Sequence, residues 1–225
     1  MSNLGLKAGL GILSLALVMG LLLFGGAGTL DYWQAWTYMA VFFAAEVLLT
    51  LDLMKTDPAL LERRMRGGPT AEPERGQRIA MFVASTAFVA MLVVPALARR
   101  FMWTQVPVGL EILGDVLTAV WFYICFLVFR VNAYSASTVQ TFKDQPVISS
   151  GPYAVVRHPM YAAGVLLFVG TPLALGSYWG LLALLAASPA LLWRLFDEER
   201  LLTKSLPGYA EYLARVRWRL LPGIF

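Results

Sequence analysis

Residues 151–161, GPYAVVRHPMY, gather the side chains of this chain best suited to chemistry. They hold its single histidine, His158, flanked by Arg157 and Pro159 and bracketed by Tyr153 and Tyr161. Gly151 and Pro152 spell a turn, because glycine reaches positive φ and proline fixes its own. Pro159 suits the first turn of a helix, where a missing N–H forfeits no intrahelical bond. The cluster therefore falls at a helix start, whose free N–H groups and dipole favour polar or anionic ligands. A cap at the lipid headgroups, with tyrosines as an interfacial belt, would use the same residues without any chemistry.

A second polar cluster follows one apolar hairpin later, with Arg194, Asp197, Glu198, Glu199 and Arg200, and then Tyr209 and Tyr212. Antiparallel geometry would bring the two clusters together. The chain has no G-x-x-x-x-G-K-[ST] loop, no H-E-x-x-H, no second histidine and one cysteine, Cys125. The motifs of phosphate-loop and zinc-centred chemistry are thus missing, which narrows the options. Ser149 or Ser150 with His158 lacks the G-x-S-x-G elbow of a serine hydrolase. What remains is a site of Gln, His, Tyr, Arg and paired Glu. Carboxylates there can accept from a ribose or pair an ammonium, aromatic faces and free backbone can hold an adenine, and arginine can grip an anion bidentately. The plain alternative for Glu198 is an i, i+4 ion pair with Arg194.

The elements that must position these residues are hydrophobic. Of 225 residues 59% are hydrophobic and 14% charged, with a mean hydropathy of +0.66, a composition of membrane proteins. Apolar runs span about 8–28, 35–54, 79–98, 112–131, 161–176 and 179–196. They are long enough to cross a bilayer as helix and do not alternate as barrel strands do. The expectation is an all-α integral membrane protein of about five to six transmembrane helices in a single domain, 1–225. Residues 1–130 supply four of them, and 131–225 carry the polar clusters, a C-terminal hairpin kinked at Pro172 and Pro189, and a tail. The first run reads as a retained helix rather than a signal peptide.

With the N-terminus inside, every Lys and Arg except Arg99 and Arg100 falls on the cytoplasmic side. Both termini and both polar clusters then face the cytoplasm, in a bacterial inner membrane or an ER membrane. Nucleic acid is not needed to explain the basic residues. Glu46, inside the second run, is a functional candidate because a carboxylate is costly in lipid. The loop 55–78 reads as a solvated surface near anionic lipid, with substrate recognition as the alternative, and with 57–66 as a short amphipathic piece bearing Leu60, Leu61 and Met65 on one side. The third run has no charge between Ile79 and Ala98 and reads as scaffold, and the fourth helix is expected to begin after Glu111 and Asp115, with Arg130 snorkelling at its far end. The polar stretch 132–150 is long for a connection, as functional loops tend to be.

The run Q-x-x-x-x-Q-P-V-I-S-S-G-P-Y-x-x-x-R-H-P-x-Y, the hairpin, R-x-x-x-E-E and the P-G-Y-x-x-Y tail together resemble the isoprenylcysteine carboxyl methyltransferase family, with which phospholipid N-methyltransferases share an outline. The resemblance covers roughly residues 130–222. It implies S-adenosyl-L-methionine as cofactor, a lipophilic or lipidated acceptor among membrane lipids, and no metal. It implies a cofactor site made by Gln140, by Gln145, Pro146, Val147 and Ile148 as a backbone-lined loop, by Tyr153, His158, Pro159, Met160 and Tyr161, and by the carboxylate of Glu198. The family often has histidine where Gln145 stands, and Gln140 to Gln145 is a shorter spacing than in eukaryotic members. Arg194 is similar to the family's substrate arginine. The implied reaction is methyl transfer to an isoprenylcysteine-like carboxylate aimed by Arg194, a nucleophile already ionised at neutral pH. An amine or small thiol, as in a phospholipid amine methyltransferase, would need a base, for which His158 and Glu199 are the candidates. A rival of another class is an NADPH-dependent sterol-type reductase, whose 2′-phosphate Glu198 and Glu199 would repel.

Overall fold

The computed structural model describes residues 2–72, 74–135, 137, 138 and 145–225, and among them there is helix and no strand. Helix α1 (Ser2–Gly20) continues through a π-type turn, Leu21–Gly25. It is followed by α2 (Trp33–Thr56), α3 (Pro58–Met65), α4 (Arg75–Phe101), α5 (Val108–Val131), α6 (Pro159–Ala174), α7 (Leu182–Ser205) and α8 (Tyr209–Arg215). Five segments are long and apolar enough to cross a membrane: Asn3–Gly25, Trp33–Thr56, Arg75–Phe101, Val108–Val131 and Trp179–Ser205. At 23 to 27 residues they extend about 34–40 Å, more than a hydrocarbon layer. Helix α6 is apolar but has 16 residues, about 24 Å. The six apolar runs of the sequence thus become five spans and one shorter helix.

Three boundaries depart from the sequence reading. Helix α5 starts directly after Pro107, so Glu111 and Asp115 lie inside it and are buried. The Gln34 amide donates to Glu111 Oε1 at 2.9 Å, which gives that carboxylate a partner within the bundle. In α3, Leu60 and Leu61 are buried as expected but Met65 is exposed, because the one-sided apolar stripe ends a turn earlier. Arg130 does more than snorkel, pairing with Asp52 at 2.6 Å and so tying α5 to α2. Glu46 is partly buried beside Thr50 and Arg64.

Helices α5 and α6 approach most closely where Gly114 faces Gly170. A Cβ on Gly114 would lie 2.5 Å from the Gly170 carbonyl oxygen, and one on Gly170 would lie 2.7 Å from that of Gly114. Lipid offers no hydrophobic drive for helix pairing, so such small-residue contacts carry the association through packing. Gly114→Val is therefore expected to destabilise the fold by about 3 kcal/mol, the upper end of the overpacking range. Gly109→Val, with nothing within 4 Å of the added carbon, should leave melting in detergent unchanged. Equal melting curves for the two variants would contradict this packing.

Above this contact Phe42 of α2 meets Phe122 of α5 edge to face at 5.0 Å, within a core shared by α2, α4, α5, α6 and α7. The α6–α7 hairpin turns at Gly176 (φ 73°) and a short helical turn, Trp179–Leu181. Pro172 and Pro189 both lie inside their helices. The return of α7 along α6 places the second polar cluster beside the first.

Candidate active site

Gly151 (φ 58°) opens a single 3-10 turn, Gly151–Ala154, and Pro159 starts α6 with His158 as its N-cap residue. The backbone between is held by the tail. The Arg157 N–H donates to the Trp218 carbonyl at 2.8 Å, and the His158 N–H to the Arg219 carbonyl at 3.0 Å. Arg157 also donates from Nε to the Val216 carbonyl and from Nη2 to the Leu213 carbonyl.

Glu199 of α7 closes this arrangement. Its Oε1 lies 3.2 Å from Arg157 Nη1 and 3.3 Å from His158 Nε2, while Oε2 accepts from Arg219 Nε at 3.0 Å. One buried carboxylate thus joins the helix start, α7 and the tail. The neighbouring Glu198 points elsewhere, accepting the Tyr161 hydroxyl at 2.7 Å. Tyr161 in turn stands edge-on to the His158 ring at 5.6 Å. No cation stands at ion-pair distance from Glu198 among the described residues, and the i, i+4 pair with Arg194 does not form.

Arg194 turns instead to the start of α4. Its Nη2 lies 2.6 Å from Glu72 Oε1, and its Nη1 donates to Gln77 Oε1 at 2.9 Å. All three residues are buried. The Gln77 amide is oriented by its other end, which donates to Asp197 of α7. Gly76 allows the closeness, since a side chain there would strike the Trp193 ring.

These elements enclose a cavity of about 630 Å³. Gln145, Pro146, Val147 and Ile148 line it from a stretch without regular secondary structure, and Tyr153, His158, Pro159, Met160 and Tyr161 line it from the turn and α6. Arg194 and Glu198 line it from α7. Glu199, expected beside Arg194 at the reacting centre, is not among the lining residues and stands behind the wall that His158 and Arg157 form. Gln140 lies outside the described residues. Ser149 and Ser150 are not on the lining either.

The cavity continues from these polar groups into an apolar arm between Met81, Trp121, Leu167, Phe168 and Leu191. Tyr153 sits at the polar end. Asn132 Nδ2 donates to its hydroxyl oxygen at 2.8 Å, the Tyr212 hydroxyl donates to its carbonyl at 2.9 Å, and burial pushes its phenol up to about 12. That phenol stays protonated at neutral pH and serves as a hydrogen-bond donor. The sequence reading missed Arg64, Gly67 and Gly68 on the lining, and Glu72 and Gln77 behind it. The loop 55–78 is not a plain surface but one wall of the cavity. Glu72 is buried and pairs with a residue more than a hundred positions away, which nothing local to its sequence signals.

Residues 110–207 match the phospholipid methyltransferase family. The match covers a little under half of the chain and contains the turn, α6, Arg194 and Glu198. The phospholipid methyltransferase family belongs to the same superfamily as the isoprenylcysteine carboxyl methyltransferases. Together with five membrane-length helices among the described residues, the match supports a membrane methyltransferase. A comparison with curated proteins returned no match. Among the described residues no group of three or more His, Cys, Asp or Glu could hold a metal ion.

Proposed function

We propose that the chain is an S-adenosyl-L-methionine-dependent methyltransferase whose acceptor is a membrane lipid bearing an amine. The observation that carries this reading is the single cavity that is polar at one end and apolar at the other. A polar nucleoside cofactor and a greasy acceptor would meet inside it without either crossing the other's environment.

The residues fit the cofactor. Glu198, a lining carboxylate that accepts a tyrosine hydroxyl and has no cation at ion-pair distance among the described residues, suits the α-ammonium or ribose hydroxyls of such a molecule. The backbone of Gln145 to Ile148, with Tyr153, His158, Pro159, Met160 and Tyr161 around it, suits its nucleoside. Gln140 belongs to the same proposal by resemblance. When bound, the cofactor supplies an electrophilic methyl on a sulfonium.

The chain's own part is positioning and exclusion of water. The apolar arm holds the acceptor's chain. Burial of an amine there favours its neutral, nucleophilic form, since desolvation penalises the ammonium. Glu199 keeps Arg157 and His158 in place from behind, a positioning role rather than that of a base. The carboxylate acceptor implied by the isoprenylcysteine resemblance is the second reading, and Arg194 on the lining favours it. The amine is preferred because Glu72 and Gln77 already engage both terminal nitrogens of the guanidinium. In this reading both termini and the polar mouth face the cytoplasm, following the distribution of basic residues.

Calorimetry of the detergent-purified protein tests the cofactor. S-adenosylhomocysteine is expected to bind with micromolar affinity, and NADPH not at all. Binding of NADPH alone would replace the methyltransferase by a reductase.

A further inference from the structure

A guanidinium on a cavity wall offers five donors in a planar fork that matches a carboxylate or phosphate. In this chain the fork of Arg194 is taken. Glu72 lies 2.6 Å from Nη2, Gln77 accepts from Nη1 at 2.9 Å, and the Ser137 carbonyl stands 3.4 Å from Nη2. The Glu72 side chain is fully buried, so water does not compete for it.

This pairing is built in rather than incidental. Glu72 ends the short helical turn Pro69–Ala71, and its carbonyl accepts from Arg78 Nε at 3.3 Å. Gly76 lets Trp193 pack against the start of α4, which fixes that helix in register with α7. Asp197, three residues beyond Arg194, holds Gln77 in the orientation that presents its oxygen to the guanidinium.

We propose that Glu72 is a specificity-determining residue, which as the resident counter-ion of Arg194 closes this site to anionic methyl acceptors. The proposal rests on the methyltransferase reading above. An anionic acceptor reaching Arg194 must displace Glu72 and strand a buried carboxylate, whereas a neutral amine or an ester need not. The neighbouring Arg157 is likewise neutralised, by Glu199, and Glu198 adds a carboxylate with no paired cation among the described residues. The cavity wall thus offers anions no unpaired partner among these groups.

Two probes that differ only in charge test this: a prenylated N-acetylcysteine and its methyl ester, titrated into the full chain in detergent. Wild type is expected to bind the ester more tightly than the acid. E72Q, which keeps the shape and a hydrogen bond to Arg194 but removes the charge, should raise affinity for the acid roughly tenfold and leave the ester unchanged. E72D, which keeps the charge, should retain the wild-type ratio. A merely structural Glu72 would weaken both probes together or neither, and an unchanged acid-to-ester ratio in E72Q overturns the proposal. S-adenosylhomocysteine titrated into the same samples separates the two failures. If it binds and the ratio does not move, Glu72 alone has been misread. If it does not bind wild type, the methyltransferase reading falls, and the proposal falls with it.

Discussion

Replacing Glu198 by alanine is expected to weaken S-adenosylhomocysteine binding roughly 10- to 100-fold, the effect of deleting one charged hydrogen-bonding group worth about 1.5–3 kcal/mol. Glu198 lines the cavity, and among the described residues it accepts a hydrogen bond from the Tyr161 hydroxyl. No ion pair is broken, so melting of the unliganded protein should change little. Calorimetry on the variant measures the first quantity and a thermal scan the second. Unchanged affinity in a folded Glu198→Ala protein would remove this carboxylate from the cofactor site. Tyr161→Phe should show a smaller loss, because it removes only the hydroxyl that orients Glu198.

Glu199→Ala should behave in the opposite way. Its carboxylate is shared by Arg157, His158 and Arg219, all within 3.3 Å, and the side chain is 10% exposed. Removing it leaves arginines without their counter-ion in a largely buried site, which typically destabilises by about 3–5 kcal/mol. The expected result is a large drop in melting temperature with cofactor affinity lost as a consequence, and partial recovery of both in Glu199→Gln. Were Glu199 a general base, either variant would fold normally, bind S-adenosylhomocysteine as wild type does, and fail only in turnover. Adjacent glutamates on one helix therefore carry separable phenotypes, because successive side chains on a helix point about 100° apart.

Much of this arrangement was legible in the sequence. Apolar runs locate membrane helices because every backbone polar group must be satisfied within the lipid, and no soluble alternative competes with that reading. The turn at Gly151 and the helix start at Pro159 follow from backbone restrictions local to those residues. The meeting of the two polar clusters followed from an antiparallel hairpin, but the particular pairing of His158 with Glu199 and of Tyr161 with Glu198 did not. Glu72 and Gln77 were not legible. They sit in a stretch of mixed charge that composition alone assigns to water, and only the packing of α4 against α7 buries them. Glu111 and Asp115 misled for a related reason. Two acids at the head of an apolar run look like its flank, yet α5 draws both inside, where Gln34 binds Glu111 from another helix. Charge patterns report on the solvent a residue meets when it has no distant partner, and each of these residues except Asp115 has one.

The carbonyls of Val216, Trp218 and Arg219 fasten Arg157 and His158 from as far as 61 positions along the chain. At 5–20 residues per second that separation is about 3–12 s of synthesis. During that interval the translating ribosome has already delivered α6, and then α7, to the bilayer while the clasp does not yet exist. Completion of the pocket is thus a late event of biogenesis, which a nascent chain stalled before Val216 would never reach even with its membrane helices inserted.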